Sequence, residues 1–228
     1  MIVAVAGGKG GVGTSTTAWN LAFELEAVAV DADLTGADLP LGSGPNLHDV
    51  LGGRANPMDA VESVGGVWLL SSGRTLAGAR ASDLTAFGRV LERIEREYGR
   101  VVIDCRAGLA RDVGVALRSA DLLVLVTTPT KPALIDALRT AELAAELGTP
   151  VASAVLNLAD GDGQTPLVDR LSRTLGVEVT VVERQSTVAD AQAEWMPVHE
   201  HTPGAQAVGA YRSLADRLVD SYDRLERG

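Results

Sequence analysis

Short apolar runs alternate along this chain with longer stretches in which apolar residues recur every three or four positions. The runs predict strands over 2–6, 28–31, 67–70, 101–104, 122–126, 151–156 and 178–182. The helical spacing predicts helices over 15–26, 47–51, 83–98, 131–147, 166–175, 188–194 and 203–225. Apolar strands that alternate with amphipathic helices predict an α/β fold, a doubly wound, mostly parallel sheet with helices on both faces. No Ser/Gly/Pro linker or repeat interrupts the pattern, so one domain over 1–228 is expected. In the last helix Val208, Tyr211, Leu214, Leu218, Val219, Tyr222 and Leu225 form an apolar stripe, expected to dock on the core.

In open sheets of this kind ligands sit beyond the C-terminal ends of the strands, and polar residues gather there. The first strand runs into Gly7-Gly8-Lys9-Gly10-Gly11-Val12-Gly13-Thr14-Ser15-Thr16-Thr17. A strand, a glycine loop and a helix start form the setting in which backbone N–H groups wrap a phosphate chain. The template G-x-x-x-x-G-K-[ST] places Gly8 and Gly13 on its glycines and Ser15 on its magnesium-binding hydroxyl. Where the template has lysine, this chain has Thr14.

After the second strand, Asp31-Ala32-Asp33 sets two carboxylates on one side, one of them near the phosphate end of the loop. The strand Val101–Ile103 ends on Asp104, the arrangement that holds Mg²⁺ through a water in nucleotide-hydrolysing proteins. Cys105 reads as a small buried residue and Lys131 as a solvated lysine flanking a helix. His48, His199 and His201 are scattered; the last two are expected in a loop between Pro197 and Pro203, with no metal site.

Composition narrows the class. No apolar run reaches the ~20 residues of a membrane span, and Met1 leads straight into a strand with no signal peptide, which predicts a cytoplasmic protein. One cysteine, Cys105, excludes a disulfide framework and a cysteine-pair metal site within one chain. The net charge is −10, and lysine occurs only at Lys9 and Lys131, so 18 of the 20 basic residues are arginine. Acids are interspersed throughout, including on the outer face of the last helix, where Asp216, Asp220 and Asp223 accompany Arg212, Arg217 and Arg224. Such a surface disfavours DNA, which needs clustered positive charge. The acid-rich, lysine-poor usage suits a salt-adapted organism.

The loop Lys9–Thr16, the Asp31–Asp38 segment and Asp104-Cys105-Arg106-Ala107-Gly108 together resemble the MinD/ParA superfamily of deviant Walker A P-loop ATPases over nearly the whole chain. The loop lacks the second lysine, as in the similar CpaE/TadZ branch. The resemblance implies an ATP- and Mg²⁺-binding switch that forms a homodimer around nucleotide and positions a cellular structure through a partner protein. It places Gly8, Lys9, Gly10, Gly11, Val12, Gly13, Thr14, Ser15 and Thr16 on the phosphates, Ser15 on Mg²⁺ directly and Asp104 on it through water. It gives Lys9 to the partner subunit's phosphates and Asp33 to the attacking water, with Asp31 in support. Asn157 and Arg184 fall at the family's adenine segments, although Leu158 stands where relatives have Arg, and Glu183 and Arg184 depart from the family's I-P-x-D-x.

In the family's D-[STC]-P-A-G, Arg106 replaces proline; it is either an exposed loop residue or a substitute cation for the missing lysine. With Thr14 the resemblance implies slow ATP hydrolysis at most. The alternatives are an ATP-binding pseudo-ATPase scaffold, or a ligase of the dethiobiotin-synthase-like fold, which generally keeps the second lysine. Iron–sulfur carriers of similar sequence need cysteines that this chain lacks. The chain has no basic amphipathic tail of the membrane-bound MinD kind, so direct membrane binding is not expected.

Overall fold

The computed structural model describes residues 1–227, the side chains of 161 and 162 excepted. Eight strands form one sheet: β1 (Ile2–Ala6), β2 (Val28–Asp31), β3 (Val61–Val64), β4 (Val67–Leu70), β5 (Val101–Asp104), β6 (Leu122–Thr127), β7 (Val151–Ala159) and β8 (Val179–Glu183). Their order is β3-β4-β2-β5-β1-β6-β7-β8. Every neighbouring pair is parallel except β3 and β4. β1 lies between β5 and β6, where the winding direction reverses and the C-terminal ends of the strands open a crevice. All five residues of β1 are buried, as its unbroken apolar sequence requires.

The doubly wound expectation therefore holds, with one strand added. β3 is an antiparallel edge strand missing from the predicted set. Gly65 and Gly66, at φ +52° and +83°, join it to β4 in a two-residue hairpin. That turn needs positive φ at both centres, so the Gly-Gly pair was the signal to read.

On one face α1 (Thr14–Glu24) packs against α11 (Gln206–Arg227), joining Trp19, Leu21 and Leu25 to Tyr211, Leu214 and Leu218. The other face is covered by α2 (Leu47–Leu51), α5 (Phe87–Tyr98), α6 (Arg111–Arg118) and α7 (Lys131–Glu146). The remaining helices are α3 (Pro57–Ala60), α4 (Leu76–Ala81), α8 (Thr165–Leu175), α9 (Ser186–Ala193) and α10 (Val198–His201).

Several expected bounds shift. α1 stops at Glu24 because the chain turns through φ +51° at Glu26. The expected helix 83–98 divides into a 3₁₀ turn at Leu84–Ala86, capped by Asp83, and α5. α3, α4 and α6 were not predicted. The histidine segment is helix α10, not a loop: the His199 ring lies 2.9 Å from Glu24 on α1, whose carboxylate also pairs with Arg212 on α11. The apolar stripe of α11 is buried as far as Leu218; Val219 and Tyr222 are half-buried and Leu225 is exposed. No helix among the described residues is long and apolar enough to cross a membrane.

Candidate functional site

Beyond β1 the chain turns through the glycine loop into α1. Gly8 passes so close to α7 that a Cβ there would collide with the backbone of Asp136. Gly13 caps α1 at φ +92°, and a Cβ there would strike the Asn157 amide. Both glycines of the template are thus required by neighbouring elements. The α1 N-terminus carries no side-chain cap and no acid in its first turn. Its backbone N–H groups and the positive end of the helix dipole therefore face the cleft.

Lys9, Gly10, Gly11, Gly13, Thr14, Ser15 and Thr16 line one wall of a cleft of about 570 Å³. Gly8 and Val12 stand behind that wall, Val12 being buried. A Cβ on Gly7 would sit 3.1 Å from the Thr14 hydroxyl, so this hydroxyl lies close to the start of the loop. Lys9 is exposed and also borders a second hollow of about 320 Å³ with Thr128, Pro129, Thr130, Asp160 and Arg184.

Asp31 and Asp104 are register partners at the C-terminal ends of adjacent strands, both buried and neither lining the cleft. Burial raises the Asp104 carboxyl well above its ordinary range, with the Ser15 hydroxyl opposing. Its Oδ1 is buried without a hydrogen-bond partner. Asp31 is likewise pushed up by burial, to about 7, although it accepts N–H bonds from Asp33 at 3.0 Å and from Asp38 and Leu39 at 3.1 Å. A hydroxyl beside an orphaned carboxylate at the phosphate end is a donor set that suits a hard divalent cation. By geometry alone, no cluster of three or more His, Cys, Asp or Glu side chains forms a ready metal cage among the described residues. Such a set therefore needs oxygens from elsewhere, as Mg²⁺ sites built on substrate phosphates do.

Asp33 does not line the cleft. Its Oδ1 accepts from Thr35 N at 2.9 Å, Thr35 Oγ1 at 2.8 Å and Gly36 N at 3.0 Å, which closes the turn. Asp38, which the sequence did not single out, does line it. Burial and the nearby Asp33 raise the Asp38 carboxyl, while Arg106 opposes them. Arg106 reaches Asp112 at 3.4 Å and does not line the cleft, whereas its neighbours Cys105 and Ala107 do. Burial pushes the Cys105 thiol far up, which disfavours its thiolate.

The far wall holds Asn157, Leu158, Glu183, Arg184, Gln185, Val188, Ala189 and Gln192. Asn157 does more than face the cleft: its Nδ2 donates to the Val12 carbonyl at 2.9 Å, tying β7 to the phosphate loop. A register irregularity in the β7–β8 pairing sits at Leu158, which adopts φ +54° and faces both hollows. Bulges of this kind re-aim a side chain beside a site. Arg184 lines both hollows and meets Asp160 at 3.4 Å. The α9 residues Val188, Ala189 and Gln192 were missed by sequence reading because nothing in the helix sequence marks which face turns toward the cleft.

Comparison with known proteins agrees with this geometry. The chain is 34% identical to an uncharacterised ATP-binding protein of Methanocaldococcus jannaschii, over 96% of this chain and 88% of that one. It is 27% identical to the septum site-determining protein MinD of Bacillus subtilis, over 95% of this chain and 88% of that one. Among solved structures, the cell division ATPase MinD of Pyrococcus furiosus superposes with a TM-score of 0.87 at 26% identity, covering 96% of this chain and 98% of that one. The model of the CobQ/CobB/MinD/ParA nucleotide binding domain matches residues 3–198. The chain belongs to the CobQ/CobB/MinD/ParA nucleotide-binding family, within its MinD/ParA superfamily.

Proposed function

We propose that the chain is a single-domain, ATP-dependent switch that dimerises around nucleotide and positions a cellular structure through a partner protein. One observation carries the reading. The uncapped N-terminus of α1 lines the cleft through Thr14, Ser15 and Thr16, and the Ser15 hydroxyl there meets the buried Asp104 carboxylate, whose Oδ1 is orphaned, an anion seat beside a cation seat. Mg·ATP supplies both charges. When bound, magnesium would neutralise phosphate charge, with Ser15 holding it directly and Asp104 through a water.

The loop from Gly8 to Thr16 would wrap the phosphates, and Asn157 and Arg184 would face the base. Asp33 anchors its turn through Oδ1, which leaves Oδ2 to orient an attacking water. Asp31 holds that turn in place. Thr14 places a neutral hydroxyl where a lysine would stabilise developing phosphate charge, so turnover is slow. The absence of a lysine at Thr14 favours, as a second reading, a scaffold that binds ATP without turnover. Lys9 stands exposed between two hollows, which suits a lysine that completes the partner subunit's site.

The net charge of −10 supports targeting through a protein partner in the cytoplasm and not through DNA or lipid directly. Titration with Mg·ATP followed by sedimentation tests the reading. The parent chain should bind nucleotide and become a dimer, and Lys9→Ala should bind nucleotide and stay monomeric. A parent chain that does not bind Mg·ATP would overturn it.

A further inference from the structure

On the outward side of α6, Arg111, Gly114, Val115 and Arg118 recur at helical spacing opposite Leu143 and Leu147. Leu109, 51% exposed in the loop that follows β5, closes one end of the groove between them, about 370 Å³ in volume. The floor is apolar, and the charged side chains that line it are the two exposed arginines. Neither makes an ion pair with another described residue.

Gly114 is an unexpected choice here, because glycine weakens a helix relative to alanine. A Cβ at this position would meet Leu147 Cδ1 at 4.0 Å, an ordinary contact. Internal packing therefore does not require the glycine. Close approach of something from outside would use it.

We propose that this groove docks an acidic amphipathic helix of a partner protein. Two acidic side chains seven residues apart would meet Arg111 and Arg118, and an apolar pair between them would cross Gly114 and seat against Leu109, Leu143 and Leu147. Seven residues span two helical turns, about 10.5 Å, so the arginines repeat at the period of a facing helix. On a chain of net charge −10, two unpaired arginines beside apolar side chains select locally for acids. A phosphate polymer could satisfy the arginines but has no ridge of aliphatic side chains for the floor. The groove is also lined by Leu109 and Ala110 of the loop whose Cys105 and Ala107 line the cleft, so docking would sense the cleft; that link rests on the switch reading above.

A phage-displayed library of helical peptides, panned on the full chain with Mg·ATP, tests the proposal. Selected peptides are then measured by fluorescence anisotropy against the parent, the Arg111→Glu/Arg118→Glu double variant and Gly114→Met. A fluorescent ATP analogue is titrated in parallel. Selected peptides should carry Asp or Glu seven residues apart around an apolar pair. Each variant should weaken them by about tenfold or more while leaving nucleotide binding unchanged. Lysine-for-acid versions of the peptides should regain affinity on the double-Glu variant. Peptides that are basic, or that bind all three proteins alike, would overturn the groove. So would an arginine-dependent affinity for duplex DNA or anionic vesicles that exceeds the peptides'. If the ATP analogue fails to bind, the switch reading falls, and the groove is judged by the same peptides without nucleotide.

Discussion

Two loops reach the phosphate end of the cleft, and they are built in opposite ways. The first, residues 32–39, is fastened from within. Asp31 and Asp33 accept five backbone N–H groups and the Thr35 hydroxyl. Ser72 Oγ donates to the Asp33 carbonyl at 2.6 Å, and His48 Nε2 donates to Leu34 O at 3.0 Å. The second, residues 105–110, rests on the Arg106–Asp112 pair at 3.4 Å, presents Leu109 to solvent and turns at Gly108, whose φ is +95°. A loop with its N–H groups already satisfied has little to gain from a ligand, whereas a sparsely bonded one can change state. The first loop is thus a fixed template, and the second is the element free to report what the cleft holds.

The largest effect expected from this contrast lies in the latch of the first loop. Asp31 titrates near 7 in the fold against an ordinary 3.8, so its uncharged form suits the buried site. Any stability that depends on the neutral form is complete below the ordinary value and lost as pH rises through about 7, a gap on the order of 4 kcal/mol. Urea unfolding without nucleotide, at a series of pH values, should show Asp31→Asn gaining on the parent across that window. A difference between the two that does not move with pH would break the latch account.

Turnover comes next. Thr14→Lys should raise ATP hydrolysis by roughly 10²- to 10³-fold, the usual worth of one group that stabilises transition-state charge. Single-turnover assays at saturating Mg·ATP would measure it. An unchanged rate in a variant that still binds would place the limit outside the loop.

The smallest effect belongs to the turn at Gly108. Gly108→Ala should cost about 1–2 kcal/mol in thermal unfolding, because positive φ disfavours a side chain. It should also blunt the response of the second loop to nucleotide. Unaltered stability would mean that the loop adopts other conformations without penalty.

The glycine-loop end of the cleft was legible in the sequence and the far wall was not, for physical reasons. A phosphate seat needs glycines, a helix start and carboxylates at fixed offsets, so Gly8, Gly13, Ser15, Asp31 and Asp104 stand out in the string. The far wall depends on a β-bulge at Leu158 and on whichever face α9 turns inward, neither of which has a local signature. Asn157 falls between these cases: its position beyond β7 was readable, but its bond to the Val12 carbonyl joins residues 145 apart. Among the elements, the Gly65-Gly66 hairpin carried a readable turn signal that was passed over. α6 hid behind its own glycine, which weakens the helical pattern around Arg111–Arg118.

Hydrogen exchange of the whole chain, with and without Mg·ATP, tests the central claim most directly. Nucleotide should slow exchange in the phosphate loop, residues 7–16, and in residues 105–112, while residues 32–39, protected from the start, change little. Exchange in 105–112 that is indifferent to Mg·ATP, or a first loop that becomes protected only when nucleotide binds, would contradict the account.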